Sequence, residues 1–431
     1  MKSFAFVLFL AFMCSWFLHV PARYPALGAI RIDLVLLGVI VLLIAITRDD
    51  TTRDDLANQS TYLLVLLFVY AIVTLPFVEW PGSVLRAGLP QFIKAAVFFF
   101  FTASLATSPR KLKWLLIVFL ACETFRVFEP LYLHVTDGYW GDTASMADWE
   151  RLDRLSGAPL DVINPNGLAF IVLTVVPFLH YVTAGSFFGR GIYLLTLPGL
   201  LYALVLTGSR SGLVGLAAIG ALIWIQSRHK VAMAVVFMAL VAVTLPRLPD
   251  DLADRYLSIF SSDTRNAATA EGRLRAWGSD FSVAMRRPLF GHGLGTSREA
   301  NANFANTDKP SHNLYTEILQ EIGACGFVIF MWWIYVLLRG LWRVRKQIGG
   351  AADLPPLVER LVPALQVWIG MNILFSFASY GLSGYEWYMT GGLVQVVVRL
   401  ATQADTRPAP AVAAVQPFGP VFSPWAAQSR P

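Results

Sequence analysis

The chain is poor in charge. Asp, Glu, Lys and Arg make up 14% of its 431 residues and apolar residues 56%, where a soluble domain carries roughly 25% and about 45–50%. With a mean hydropathy of +0.57, the chain is too apolar for the two or three soluble domains its length would suggest. It reads as an integral membrane protein. Cysteine is scarce too: Cys14, Cys122 and Cys325, all in apolar surroundings, are too few for a disulfide framework or a four-thiolate zinc site. The histidines at 19, 134, 180, 229, 292 and 312 are scattered. There is no H-E-x-x-H pair, Walker loop or Asp-x-Asp repeat, and no G-x-S-x-G elbow for a serine hydrolase. No cofactor or metal is expected. The net charge of +6 reflects how membrane proteins distribute Lys and Arg, so no nucleic-acid partner is expected either.

What the sequence has is hydrophobic length. A helix needs about 20 mainly apolar residues to cross the hydrocarbon core. Twelve stretches qualify, near 3–20, 30–47, 61–78, 92–107, 113–134, 162–183, 191–207, 212–226, 231–246, 315–338, 362–380 and 385–400. Lys2 before the first run resembles a signal peptide, but no A-x-A site follows it, so it reads as a retained helix. The expected fold is all-α: a polytopic membrane protein with about 12 transmembrane helices and one large periplasmic loop bearing short helices.

Orientation follows from basic residues in the short loops. With the N-terminus inside, the inner loops hold Arg48, Arg53, Arg110, Lys111, Lys113, Arg190, Arg228, Lys230, Arg339, Arg343, Arg345, Lys346 and Arg360. The short outer loops hold only Arg23, Arg31, Arg86, Arg151, Arg154 and Arg210. Both termini are therefore expected in the cytoplasm. The chain divides into helices one to nine over 1–246, a large outer loop over 247–314, helices ten to twelve over 315–401, and a Pro- and Ala-rich tail over 402–431 that reads as disordered. Within the loop, Trp277, Phe281, Met285, Leu289 and Phe290 suggest short helices with an apolar face. Loops this long are usually functional or disordered.

Four polar clusters fall on the outer side. The first is Arg154–Gly157 with Asn164–Pro165–Asn166–Gly167 at the start of a helix, where Pro165 is tolerated and Asn164 suits a cap. The second is the hairpin Gly208–Ser209–Arg210–Ser211–Gly212. Its glycines allow a sharp turn and Ser211 suits a cap, but neither role requires Arg210, whose planar guanidinium matches phosphate oxygens. The third holds Arg273, Arg275 and Trp277, followed by Arg286, Arg287 and the G-H-G-L-G run 291–295 containing His292. Glycine-freed amides of such a run can approach an anion closely, although no strand precedes it to make a dinucleotide turn.

The fourth cluster runs from Ser311 to Gly323. Tyr315, Ile318, Leu319 and Ile322 keep helical spacing, which starts a helix just after His312 and Asn313. A neutral imidazole at that end suits a general base. Glu317 and Glu321 lie one i,i+4 step apart on one face. In the fifth apolar stretch, Glu123, Arg126 and Glu129 are spaced to pair with one another or to line a cavity.

Read together, R-x-x-G and N-P-N-G-L-A over 154–169, G-S-R-S-G at 208–212, G-R-x-x-x-W at 272–277, P-L-F-G-H-G-L-G at 288–295 and H-N-L-Y-T-E-I-L-Q-E-I-G at 312–323 resemble the O-antigen ligase and O-antigen polymerase superfamily. The resemblance implies a metal-independent glycosyltransferase on the outer face of the bacterial inner membrane, using a glycan on undecaprenyl diphosphate as donor. It implies that His312 is the base for the acceptor hydroxyl and that Arg210 and Arg273 hold the diphosphate. Arg154, Asn166, Arg275, His292, Asn313, Tyr315 and Glu317 follow as substrate-binding positions. The flippase and the chain-length or export proteins of the same pathway follow as partners.

A polymerase joins lipid-linked repeat units, whereas a ligase moves the finished chain to lipid A–core; both share these motifs. The outer loop has nearly balanced basic and acidic residues and so offers no strongly basic surface for phosphate-rich lipid A–core, which favours the polymerase. A transporter of lipid-linked glycans also fits the span count, but transporters place their sites near the midplane, often in inverted repeats, and no repeat is evident here.

Overall fold

The computed structural model describes residues 1–47, 55–141, 153–183, 185–231, 267–350, 354–379 and 381–406, with isolated positions between 234 and 256. Among the described residues all regular secondary structure is helical. The main helices are α1 (Lys2–Phe17), α2 (Ile32–Ile46), α3 (Asp55–Val73), α4 (Leu89–Leu105), α5 (Pro109–Asp137), α6 (Pro165–Thr183) and α7 (Phe187–Leu206). They continue as α8 (Arg210–Gln226), α9 (Ala267–Ala284), α10 (Ser297–Phe304), α11 (Leu314–Gln347), α12 (Pro356–Phe375) and α13 (Tyr385–Asp405).

Where the sequence predicts twelve spans, five described helices are long and apolar enough to cross a membrane: Pro81–Leu105, α6, α7, α11 and α12. Four more are apolar but shorter, at 10–17 residues: α1, α2, Asn58–Val73 and α8. Helix α5 is long but carries Glu123, Arg126 and Glu129 in its middle. The stretch expected at 231–246 lies largely outside the described residues, as does the tail from 407; α13 itself runs on to Asp405.

Side-chain caps set the helix starts. Ser108 accepts from the Lys111 amide at 3.3 Å, with Pro109 in the first turn of α5. Ser186 does the same for α7 through Gly189 at 2.9 Å. Both oxygens satisfy first-turn amides that have no partner within their helix.

The core is aromatic where helices cross. Trp333 of α11 stands between Phe99 of α4 and Tyr388 of α13, with ring centroids 6.1 and 5.9 Å away. Trp368 of α12 meets Phe119 of α5 at 6.0 Å and Phe178 of α6 at 5.1 Å. Helix α13 packs along α4 and α11, while α12 packs on α6 and α8. The candidate site forms at one end of this bundle, where α6, α8, α11 and α13 begin and α12 ends.

Helix α11 is interrupted at Gly323, whose φ of 65° and ψ of −172° break it into a short first segment and a long second one. A Cβ there would lie 2.3 Å from the Leu289 carbonyl oxygen. Glycine is needed for both reasons, conformation and space. The break lets the 286–291 segment cross the helix, with the Ala324 amide donating to Pro288 O at 2.8 Å.

Candidate active site

The first segment of α11 holds His312 in a rigid frame. Asn313 caps the helix, accepting from the amides of Tyr315 and Thr316 at 2.9 and 3.4 Å. Ser311 donates to Asp280 at 2.8 Å and lies 2.8 Å from the Thr316 hydroxyl. Asp280 also accepts from Asn301 at 2.9 Å. The Leu314 amide reaches Ser376 O, at the end of α12, at 2.9 Å. Ser311 and Asn313 are buried while His312 between them is exposed. A locked backbone that presents one side chain is what a positioned reactive group requires.

His312 opens into a cavity of about 1010 Å³. Helix α9 lines it with Ala276, Trp277 and Asp280, and α6 with Asn164 and Asn166. Helix α11 contributes Glu317 and Glu321, and Asn372 and Glu386 come from α12 and α13. Apolar and polar groups thus alternate around its wall, as ligand sites commonly have it.

Asn166 ties three predicted segments together. Its side-chain oxygen accepts from Arg154 Nη2 at 2.9 Å and from the Ser209 hydroxyl at 2.9 Å. Arg154 Nε also donates to Thr207 O at 2.7 Å. The G-S-R-S-G hairpin therefore stands directly behind the cavity wall. Asn164 caps α6 through the Gly167 amide at 2.9 Å, as its position predicts. Ser211 does not cap α8. Ser209 does, accepting from Gly212 at 3.1 Å, so Arg210 is the first residue of the helix. The helix starts earlier than expected because Gly208, with φ of 55°, completes the turn alone.

The Gly-rich run is already occupied, by a carboxyl group of the chain itself. The Gly295 amide donates to Glu321 Oε2 at 2.7 Å, and the Ser297 amide to Oε1 at 3.3 Å. Glu317 is held in the same way by the amides of Gly381 and Leu382 at 2.9 and 3.2 Å. Each buried carboxylate pins one loop against α11.

His292 is buried and does not line the cavity. Its Nε2 donates to Val283 O at 3.0 Å, and its ring stacks on Trp80 with centroids 5.7 Å apart. Burial holds its imidazole below the ordinary value, against the opposing effect of the Val283 hydrogen bond. Its placement is that of a core residue, packed where the sequence suggested a ligand contact.

Arg126 reaches the cavity from the middle of α5. It donates from Nε and Nη2 to Asp161 at 2.9 and 3.2 Å and from Nη1 to Glu123 at 3.2 Å. The Tyr385 hydroxyl donates to Glu123 as well. Glu129 takes a separate partner, the bidentate Arg23 at 2.5 Å. Both alternatives raised by the charge spacing are realised: the residues pair, and one lines a cavity. Pairing is what makes such charges tolerable at this depth.

His312, Asn166 and Glu317 thus share the cavity wall, with Arg154 one hydrogen bond behind it. Arg210 and Arg275 are not in the wall, and Arg275 is exposed. Position 273 lies one turn before Ala276 and Trp277 on α9, but its side chain is outside the described residues. Asn313 is a cap, and Tyr315 donates to Ile373 O at 2.8 Å. The short helices predicted within 247–314 are present as α9 and α10, but the buried side of α9 is Asp280, Val283 and Ala284; Phe281 and Met285 are exposed. On that inward face Gln320 donates to Asp280 O and Asn301 to its side chain. Sequence reasoning missed Trp277 as a lining residue, together with Asp280, Asn372 and Glu386. Asn372 did carry a signal, as a polar residue inside an apolar run. Among the described residues, no three His, Cys, Asp or Glu side chains stand close enough to hold a metal ion.

Residues 195–331, from α7 through the first half of α11, match the model of the family described as O-antigen ligase. No curated protein matches the chain.

Proposed function

We propose that this chain, whose residues 195–331 carry the O-antigen ligase family's domain, transfers a glycan from a lipid-linked diphosphate to an acceptor hydroxyl at the outer face of the bacterial inner membrane. The observation that carries the reading is His312, exposed on a locked backbone and opening into a cavity whose wall holds Asn166, the anchor of Arg154 and of the hairpin bearing Arg210.

In this reading the acceptor oxygen attacks the anomeric carbon as the bond from that carbon to the diphosphate oxygen breaks. His312 takes the hydroxyl proton. The leaving lipid diphosphate departs as an anion, whose charge this reading assigns to Arg273 and to Arg210, the latter carried on the hairpin behind the cavity wall rather than in it. Fixed cations at the point where negative charge develops lower the barrier electrostatically, so chelating agents are expected to leave the rate unchanged. The positive-inside pattern supports placing the starts of α8 and α11, and hence this site, on the outer side, with both termini in the cytoplasm.

We read the chain as a polymerase that joins undecaprenyl-diphosphate-linked repeat units, working beside the flippase and chain-length or export proteins of its pathway. The nearly balanced charge of the outer loop supports this. The description of the matched family favours a second reading, a ligase delivering the finished chain to lipid A–core. Glycan analysis of a deletion strain separates the two. A polymerase predicts single repeat units accumulating on lipid, and a ligase predicts long chains stranded there.

A further inference from the structure

Cys14 of α1 and Cys122 of α5 are 108 positions apart in the chain, yet their sulfurs stand 3.9 Å from one another, the Cys122 thiol donating to Cys14. Both are free thiols, as is Cys325 on an exposed part of α11. Two sulfurs at this separation are already in contact. A disulfide needs about 2 Å between them, so closure asks for a shift of roughly 2 Å. Rotation of the two short side chains and a small slide of α1 along α5, on which it packs, can share it.

The two thiols differ in their surroundings. Cys122 is buried, whereas Cys14 is half-buried and lies three residues before Phe17, the end of α1. Cys122 is one helical turn before Arg126, which lines the active-site cavity. The contact therefore lies one turn from a cavity large enough to admit small polar solutes. In the orientation proposed above, this end of α1 faces the oxidising side of the membrane.

The contact also stands behind the cavity wall. Glu123, next to Cys122, accepts from Arg126 and from Tyr385, and both of those line the cavity. Phe17 of α1 meets the Tyr385 ring edge-on, with centroids 4.8 Å apart. Helix α1 thus backs the wall by apolar contact, and a bond at Cys14 makes that backing covalent.

We propose that Cys14 and Cys122 are a redox-active pair, closed to a disulfide by hydrogen peroxide and reopened by thiols, that staples α1 to α5 behind the cavity wall. The chemistry is independent of glycan transfer. Cys14, the more accessible thiol, attacks one peroxide oxygen as its thiolate. The O–O bond breaks, leaving a sulfenic acid on Cys14 and, with the thiol proton, one water. The Cys122 sulfur then attacks the Cys14 sulfur, the S–O bond breaks, and the hydroxyl leaves with the Cys122 proton as a second water. Two thiols lose two electrons and two protons, and one peroxide becomes two waters.

The test uses the full-length protein in native membranes. After treatment with or without hydrogen peroxide, the protein is unfolded in SDS, its free thiols are alkylated with N-ethylmaleimide, and its peptides are analysed by mass spectrometry. Peroxide is expected to yield a linked peptide joining Cys14 to Cys122 that dithiothreitol abolishes, with Cys325 outside the link. Cys325→Ser is expected to link as the wild type does, and Cys14→Ser is expected to leave Cys122 alkylated. The Tm of the wild type in detergent is expected to rise after peroxide and return on reduction, while Cys14→Ser keeps one Tm throughout. Both thiols open to alkylation after peroxide, or Cys122 linked to Cys325 or to a second copy, overturns the pairing. A linked protein whose Tm does not rise overturns the staple.

Discussion

Arg154 donates through Nη2 to the side-chain oxygen of Asn166 at 2.9 Å, joining two segments on either side of the loop that precedes α6. The same oxygen accepts from Ser209, so one amide sets the position of the arginine and of the hairpin behind the cavity. Asn166→Ala removes the acceptor that both donors share, at a cost of about 1–3 kcal/mol for the two hydrogen bonds together. The expected result is normal membrane abundance with transfer reduced by roughly five- to hundredfold. Asn166→Asp keeps the acceptor and is expected to retain more activity than Asn166→Ala. Equal rates in the two variants would falsify this role for the Asn166 oxygen.

Glu321 gives a stability prediction. Its two oxygens accept from the amides of Gly295 and Ser297. In Glu321→Gln one oxygen becomes an NH2 group that faces an amide donor. A destabilisation of about 1–3 kcal/mol follows, read as a lower Tm in detergent. Protease cleavage near 291–297 should quicken in step. An unchanged Tm contradicts the clamp.

At Gly323 any side chain meets both a left-handed backbone and the Leu289 carbonyl. Gly323→Ala is expected to cost more than the roughly 1 kcal/mol that alanine gains over glycine in an ordinary helix. Because 286–291 crosses α11 there, the loss appears as reduced Tm and reduced yield of folded protein. A stabilised Gly323→Ala variant contradicts the observed break.

His292 makes stability depend on pH. Its folded pKa is lowered by burial, whereas in the unfolded chain it is near 6.5. Below about 6.5 the unfolded state therefore binds a proton that the folded state refuses, and stability falls as pH falls towards the lowered value. Above that window the contribution is fully present. Melting curves of the wild type and His292→Gln from neutral to acidic pH isolate the effect. The wild type is expected to lose more stability on acidification than the variant, and parallel curves contradict it.

Local features were readable from the sequence. The apolar stretches that fall on described residues lie on helices, since a long apolar run must satisfy its backbone hydrogen bonds within itself. Five of those helices, and not twelve, are long and apolar enough to cross a membrane. The starts of α6 and α11 were marked by Asn164 and Asn313, whose side chains act within three residues. What the sequence hid depends on closure at long range. Glu321 meets Gly295 across 26 positions, Arg126 meets Asp161 across 35, and Glu317 meets Gly381 across 64. Nothing local distinguishes a glycine-rich run that waits for a ligand from one that receives a glutamate of its own chain. The buried face of α9 is hidden from the sequence for a related reason. Apolar periodicity points to Phe281 and Met285, but the buried position goes to Asp280, whose partners come from α10 and α11. The position of His312 at the start of α11 is legible because the next residue, Asn313, is a cap.

The central claim is that His312 removes the acceptor proton while Arg210 supports the departing diphosphate. It is tested most directly by purified transfer assays with a lipid-linked donor, comparing wild type, His312→Ala and Arg210→Lys at equal amounts of folded protein. His312→Ala is predicted to lose about 10²–10⁴-fold in rate, the usual contribution of a positioned general base. Arg210→Lys is predicted to be strongly impaired as well, since a point charge cannot reproduce the planar fork. Transfer at near wild-type rates by folded His312→Ala protein would contradict the account.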